Sequence, residues 1–204
     1  MAVKLIHFLI TASALLAAAA HADTGESLYN TQCRACHQSN GGGNEALKAP
    51  AIAGLNADYI QRQLQHFRDG LRGDRPDDAQ GTLMAGIAKT LSDEQIGALA
   101  QHMAAQPFVA AAAPPPPEGF GARNIYSACA SCHGGNADGV DSLGAPRLAG
   151  QHSWYLKAQL EKFRNGVRGA HAEDTHGQQM RSMALKLKPD EIETIIRYVG
   201  NLGR

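Results

Sequence analysis

The sequence predicts an all-α protein in which one small helical unit is used twice. The first observation is an ungapped internal repeat. Shifting the chain by 96 residues lays Leu47 on Leu143, Pro50 on Pro146, Tyr59 on Tyr155, Phe67-Arg68 on Phe163-Arg164 and Gly70 on Gly166. Self-similarity at one fixed offset marks a repeated structural unit, and two copies suit a tandem pair of domains better than a solenoid. The second observation is that apolar residues recur at helical spacing in both copies. The third is that no segment alternates as a half-buried strand does.

Each unit reads as helices joined by glycine-rich loops. A first helix is expected from Gly25 to Cys36, followed by a loop at Asn40-Gly41-Gly42-Gly43-Asn44 whose residues tolerate positive φ. Ala57 to Asp69 carries Ile60, Leu64 and Phe67 on one face, then Leu71; the second copy has Leu156, Leu160, Phe163 and Val167. These stripes read as core, and Gly70 and Gly166 end the helices. The last helix of unit one starts at Ser92, with Gln95 completing a capping box, and its face is Ile96, Leu99 and Met103. In unit two Pro189 suits the first helical position, ahead of Ile192, Ile195 and Val199. Met84 and Met180 are expected in loops before these final helices.

The N-terminus has a short positive region, Met1-Ala2-Val3-Lys4, an apolar stretch from Leu5 to Ala20, and an Ala20-His21-Ala22 ending. This is the pattern of a secretory signal peptide, and the run is short for a membrane span. The expected organisation is a cleaved signal at 1–22, a first domain at 23–109, a linker at 110–117 and a second domain at 118–204. The linker contains Pro114-Pro115-Pro116-Pro117, which favours an extended, semi-rigid spacer. The mature chain is expected in the periplasm.

Aromatic residues make up 5% of the chain. A unit of roughly 90 residues with so few large side chains has little to pack, and a bound apolar group would supply the missing mass. Charge divides unevenly. Residues 23–109 hold 7 Lys and Arg against 10 Asp and Glu, a net of −3; residues 110–204 hold 11 against 9, a net of +2. Such asymmetry can orient charged partners. There is no basic cluster with interleaved aromatics, which argues against nucleic acid.

All four cysteines fall into two matching pentads, Cys33-Arg34-Ala35-Cys36-His37 and Cys129-Ala130-Ser131-Cys132-His133. Cys-x-x-Cys-His is the attachment pattern of c-type haem. Two thiols on one helical turn can reach the two vinyl groups of a porphyrin, and the adjacent histidine can supply a proximal imidazole. Zinc binding and dithiol exchange are the competing readings of a Cys-x-x-Cys pair. If all four thiols form thioethers, none is left for a disulfide. Two covalent haem c groups are therefore expected, on Cys33 and Cys36 and on Cys129 and Cys132, with His37 and His133 as iron ligands.

The sixth ligand decides what kind of haem protein this is. Met84 and Met180 each lie 47 residues after the haem histidine of their unit. A methionine thioether closes the iron and raises its potential. Met183 competes in unit two, where unit one has Ile87, and His176 is a more distant rival. His66, His102, His152, His171 and His176 have no histidine counterpart in the other copy and read as surface or packing residues. Pro50 and Pro146 each fall 13 residues after a haem histidine, where a carbonyl could accept the remaining ring N–H; a rigid turn is the alternative. Arg68, Arg72, Arg164, Arg168, Tyr59 and Tyr155 are open between pairing with haem carboxylates and serving as ordinary helix-end polarity.

With both pentads, the repeat, the paired Tyr…Gln-Leu…Phe-Arg…Gly…Arg-Gly stretches and the two methionines, nearly the whole mature chain resembles cytochrome c4. The resemblance implies two class-I cytochrome c folds meeting face to face, each with a covalent haem. It implies thioethers at Cys33, Cys36, Cys129 and Cys132, and axial ligands at His37, Met84, His133 and Met180. Two departures stand out: Arg181-Ser182-Met183 replaces Ala85-Gly86-Ile87, and Tyr29 is one place out of register with Tyr126. The implied function is electron transfer between respiratory partner proteins, towards a terminal oxidase, with inner-membrane association in some members and no catalysis. The alternatives are an electron-accepting haem subunit of a dehydrogenase such as a flavocytochrome, and a dihaem peroxidase.

Overall fold

A computed structural model describes residues 24–118 and 121–202. The signal-like segment at 1–22 lies outside these residues. The described chain is helical, and its extended pairing is limited to two isolated bridges, Asn44 with Ala49 and Val140 with Ala145, which are themselves repeat counterparts.

Unit one contains α1 (Gly25–Leu28), a π-helical turn at Tyr29–Cys33, α2 (Arg34–His37), α3 (Ala57–Arg68), α4 (Ala79–Ala88) and α5 (Asp93–Ala104). Unit two contains α6 (Gly121–His133), a short 3₁₀ turn at Asp141–Leu143, α7 (Ser153–Arg164), α8 (Thr175–Ala184) and α9 (Pro189–Gly200). The helix starts follow local chemistry. Thr24 accepts from the Ser27 N–H, Asn56 from the Tyr59 N–H, and Ser92 forms the expected capping box with Gln95. Gly70 and Gly166 follow α3 and α7 with φ of 81° and 72°, where a side chain would be strained.

The expected first helix is continuous in unit two but interrupted in unit one, and the interruption accounts for the tyrosine that is out of register. Tyr29 precedes Cys33 by four residues, whereas Tyr126 precedes Cys129 by three. The π turn absorbs the extra residue. Both hydroxyls then donate to equivalent carbonyls, Tyr29 to Gln38 O at 2.5 Å and Tyr126 to Gly134 O at 2.6 Å.

Met84 and Met180 lie within helices α4 and α8, not in loops. Asp78 and Asp174 start these helices by accepting from the Gly81 and Gly177 N–H groups at 2.9 and 2.8 Å. Helical periodicity is weak here because the buried residues are small: Gly81, Ala85 and Ala88 in α4, Gly177 and Ala184 in α8.

Two cores result. That of unit one gathers Leu28, Tyr29, Ile60, Leu91, Ile96, Leu99 and Met103; that of unit two gathers Tyr126, Leu156, Ile192, Ile195, Ile196 and Val199. The proline segment lies along α9. Arg197 donates to Pro115 O and Pro116 O, and Asn201 donates to Pro114 O.

Candidate haem sites and the seam between the units

The haem histidines are placed alike in the two units. His37 and His133 are 6% and 4% exposed. Each Nδ1–H donates to a proline carbonyl, His37 to Pro50 O at 2.9 Å and His133 to Pro146 O at 2.8 Å. A carbonyl can only accept, so the proton sits on Nδ1 and the Nε2 lone pair is left for a metal. Burial pushes both imidazoles towards the neutral form, partly offset by these hydrogen bonds. Neutral imidazole is the metal-binding state.

The cysteines sit beside these histidines at the ends of their helices. Cys33 packs against the unit-one core, and Cys129 against the unit-two core. Burial pushes the Cys33 thiol up to about 11, helped by its neighbour Cys36, and Cys129 shifts the same way. Reactive dithiols need the opposite shift. Among the described residues, no three His, Cys, Asp or Glu side chains converge on a common point for a metal ion. The pairs therefore offer two nearby thiols and one neutral imidazole.

In unit two, Cys129, Cys132, His133 and Met180 line one cavity, walled on its apolar side by Leu148, Ile195 and Val199. Met183 and His176 line it too. The lining also includes Arg168, which is 7% exposed and whose Nε has no hydrogen-bond partner. An apolar cavity carrying two thiols, an imidazole and a buried guanidinium with unused donor capacity fits an amphiphilic tetrapyrrole with carboxylate arms. In unit one, Met84 packs with Phe67, Ala85 and Ala88.

The six arginines and tyrosines left open by the sequence divide into two groups. Arg68 pairs with Asp69 and Asp93 at the surface, and Arg164 donates to the Ala184 and Leu187 carbonyls within its own unit. The other four meet between the units. Arg72 donates to Gln63 at 2.7 Å, to Tyr155 at 3.1 Å and to Gln159 at 3.0 Å. Arg168 mirrors it, donating to Gln159 at 2.7 Å, Tyr59 at 3.4 Å and Gln63 at 2.8 Å. The repeat thus becomes an approximate two-fold axis, with each buried arginine bonding both glutamines and the tyrosine of the opposite unit.

Other seam contacts went unread in the sequence. Gln151 donates to Ala51 O at 2.8 Å and accepts from Ala51 N at 3.0 Å. His152 Nε2 bonds Gly42 O at 2.8 Å. Their repeat counterparts are Leu55 and Asn56. A difference between the copies at an otherwise matched stretch was the available signal: the two units face each other, so identical residues cannot serve both sides of every contact.

Comparison with known proteins agrees with this layout. The Cytochrome c family model matches residues 22–106 and 121–203. A thiosulfate dehydrogenase electron acceptor from Stutzerimonas stutzeri (strain A1501) is 33% identical over 98% of this chain and 97% of its own length. Cytochrome c4 from Azotobacter vinelandii is 32% identical over 83% of this chain and 84% of its own length. The crystal structure of reduced cytochrome c4 from Pseudomonas stutzeri matches with a TM-score of 0.70 and 27% identity, covering 87% of this chain and 96% of that one.

Proposed function

The chain belongs to the cytochrome c family, in the tandem dihaem form of cytochrome c4, and we propose that it is a periplasmic carrier moving electrons between respiratory partners towards a terminal oxidase. Haem supplies a one-electron ferric–ferrous couple when bound. The chain's own residues would hold and tune it. Cys33 and Cys36, and Cys129 and Cys132, are the thioether positions. His37 and His133 are the imidazole ligands, each oriented by its bond to Pro50 or Pro146. Met84 and Met180 would be the thioether sulfur ligands; they occupy the same repeat position on equivalent helices, whereas the counterparts of Met183 and His176 are Ile87 and Gln80.

The observation that supports this reading is a buried, carbonyl-anchored histidine beside the thiol pair of each unit, joined in unit two by Met180 on the wall of the same cavity. Were His37 and Met84, and His133 and Met180, all to bind iron, no position would be left for substrate, which would suit electron transfer and not peroxidase chemistry. No described helix is long and apolar enough to cross a membrane. The carrier assignment is tested by mixing the reduced holoprotein with a solubilised terminal oxidase. Oxidation of both haems without added mediator is expected; an inert mixture overturns the oxidase assignment.

A second reading has a specific observation behind it. The Stutzerimonas relative named as an electron acceptor for thiosulfate dehydrogenase matches almost end to end. On this reading the donor is a dehydrogenase of that class, and the same carrier delivers its electrons onward. Reduction of the oxidised holoprotein by thiosulfate plus such a dehydrogenase, with no reduction when the dehydrogenase is left out, is the result expected.

A further inference from the structure

The approximate two-fold symmetry of the seam fails at several charges, and one of them, Arg62, lines a haem cavity. Arg62 lies on α3 of unit one, yet it lines the unit-two cavity together with Cys132, His133 and Met180. Its guanidinium is fixed in place. One Nη donates to Gly144 O of unit two at 2.7 Å, and the group lies 5.5 Å from the centre of the Tyr59 ring. Its Nε is buried with no hydrogen-bond partner.

The repeat counterpart of Arg62 is Ala158, which has neither charge nor reach. The counterpart of Gly144 is Lys48, and its ammonium lies 5.2 Å over the Trp154 ring, which does not line the unit-two cavity. The other Arg, Lys, Asp and Glu side chains lining the unit-two cavity come in matched positions; elsewhere on the seam Lys162, which donates to Asp78, has His66 as its counterpart. Arg168 has Arg72. Asp174, which also lines the cavity, has Asp78, and both aspartates cap the methionine helix of their own unit. Arg62 is thus supplied by unit one to unit two with no such residue returned from position 158.

We propose that Arg62 is a positioning residue of the unit-two haem site, acting across the seam to raise the reduction potential of that haem and not of the other. The inference rests on the electron-carrier reading and deepens it. A ferric haem core carries one more positive charge than a ferrous one. A fixed cation in a poorly hydrated cavity therefore destabilises the ferric state, and neutralising a nearby haem carboxylate would act with the same sign. The potential of the second haem then depends on the first unit being docked against it.

The test is a redox titration of the holoprotein, with each haem assigned by proton NMR contacts to its own unit. In Arg62→Gln, the reduction equilibrium constant of the unit-two haem should fall by threefold or more while that of the unit-one haem stays within experimental error. Arg62→Lys should recover most of the loss, because it keeps the charge. Ala158→Arg should raise the unit-one haem. An unmoved unit-two haem in Arg62→Gln overturns the proposal, as does an equal fall in both haems. So does a lysine variant that behaves like the glutamine one, since packing and not charge would then be responsible. Failure of methionine ligation would be distinguishable: it would appear in the wild type as a missing far-red methionine-to-iron band.

Discussion

His66 Nδ1 of unit one stands 3.6 Å from Asp174 Oδ1 of unit two. At the mirror position, Lys162 donates to Asp78. One repeat position therefore supplies a permanent cation to the seam in one direction and a titratable ring in the other. Burial holds the His66 imidazole below its ordinary value; Asp174 pulls it up, and Arg62, Arg168 and Arg72 push it down.

A pH dependence follows. With a lowered folded-state value, the folded protein binds the His66 proton more weakly than the unfolded chain does. The stability this group contributes is fully present above the unfolded value of 6.5 and is lost as pH falls through it towards the lowered folded value. Urea midpoints of the holoprotein should therefore drop below pH 6.5, and His66→Gln should flatten part of that drop. A variant with the slope of the wild type would remove His66 from the account.

Loss of either methionine should be specific to its own unit. Met84→Ala or Met180→Ala should remove about half of the far-red band and lower one midpoint, by on the order of tenfold or more in the reduction equilibrium constant. If Met180→Ala leaves the band intact and Met183→Ala removes half of it, the ligand assignment in unit two changes.

The Gln151 amide satisfies both the N–H and the C=O of Ala51, a residue 2% exposed. Gln151→Leu leaves both groups buried and unpaired, at a cost of about 2 kcal/mol. Chemical denaturation of the holoprotein should show this as separation of the two units into distinct transitions. A single transition with an unchanged midpoint would mean that other seam contacts dominate.

The π turn makes a prediction by deletion. Removing Thr31 puts Tyr29 three residues before the first cysteine, the spacing of unit two. The helix should become regular and haem loading should persist. Tyr126→Phe, by contrast, removes the bond to Gly134 O and should cost about 1 kcal/mol. Haem content by pyridine haemochrome and denaturation midpoints check both.

Much of the molecule is legible in its sequence. The pentads, the carbonyls expected at Pro50 and Pro146, the capping box at Ser92 and the glycines after α3 and α7 are short-range features, because each depends on residues a few places apart or on one fixed loop. The placement of Met84 and Met180 in loops was mistaken: their helices are nucleated by aspartate caps, and the residues they bury are glycine and alanine, too small to mark a core face. The single-residue slip at Tyr29 was visible, but its resolution into a π turn was not, since hydrogen-bond register depends on where the hydroxyl must arrive.

Local chemistry along the chain determined two repeated helical units, the thiol pairs, the histidine beside each pair and the methionine that recurs at a fixed distance. How the copies face one another was decided only in three dimensions. There Arg72 and Arg168 leave the pool of ordinary helix-end charges and become shared buried donors, and Arg62, His66 and Gln151 gain partners 82 to 108 places away or, for Gln151, 100 places back. Hydrophobic period and caps act within a few residues, so they are written into the sequence directly. Contacts across an approximate two-fold axis depend on how two finished surfaces meet, and the chain records them only as places where its two halves disagree.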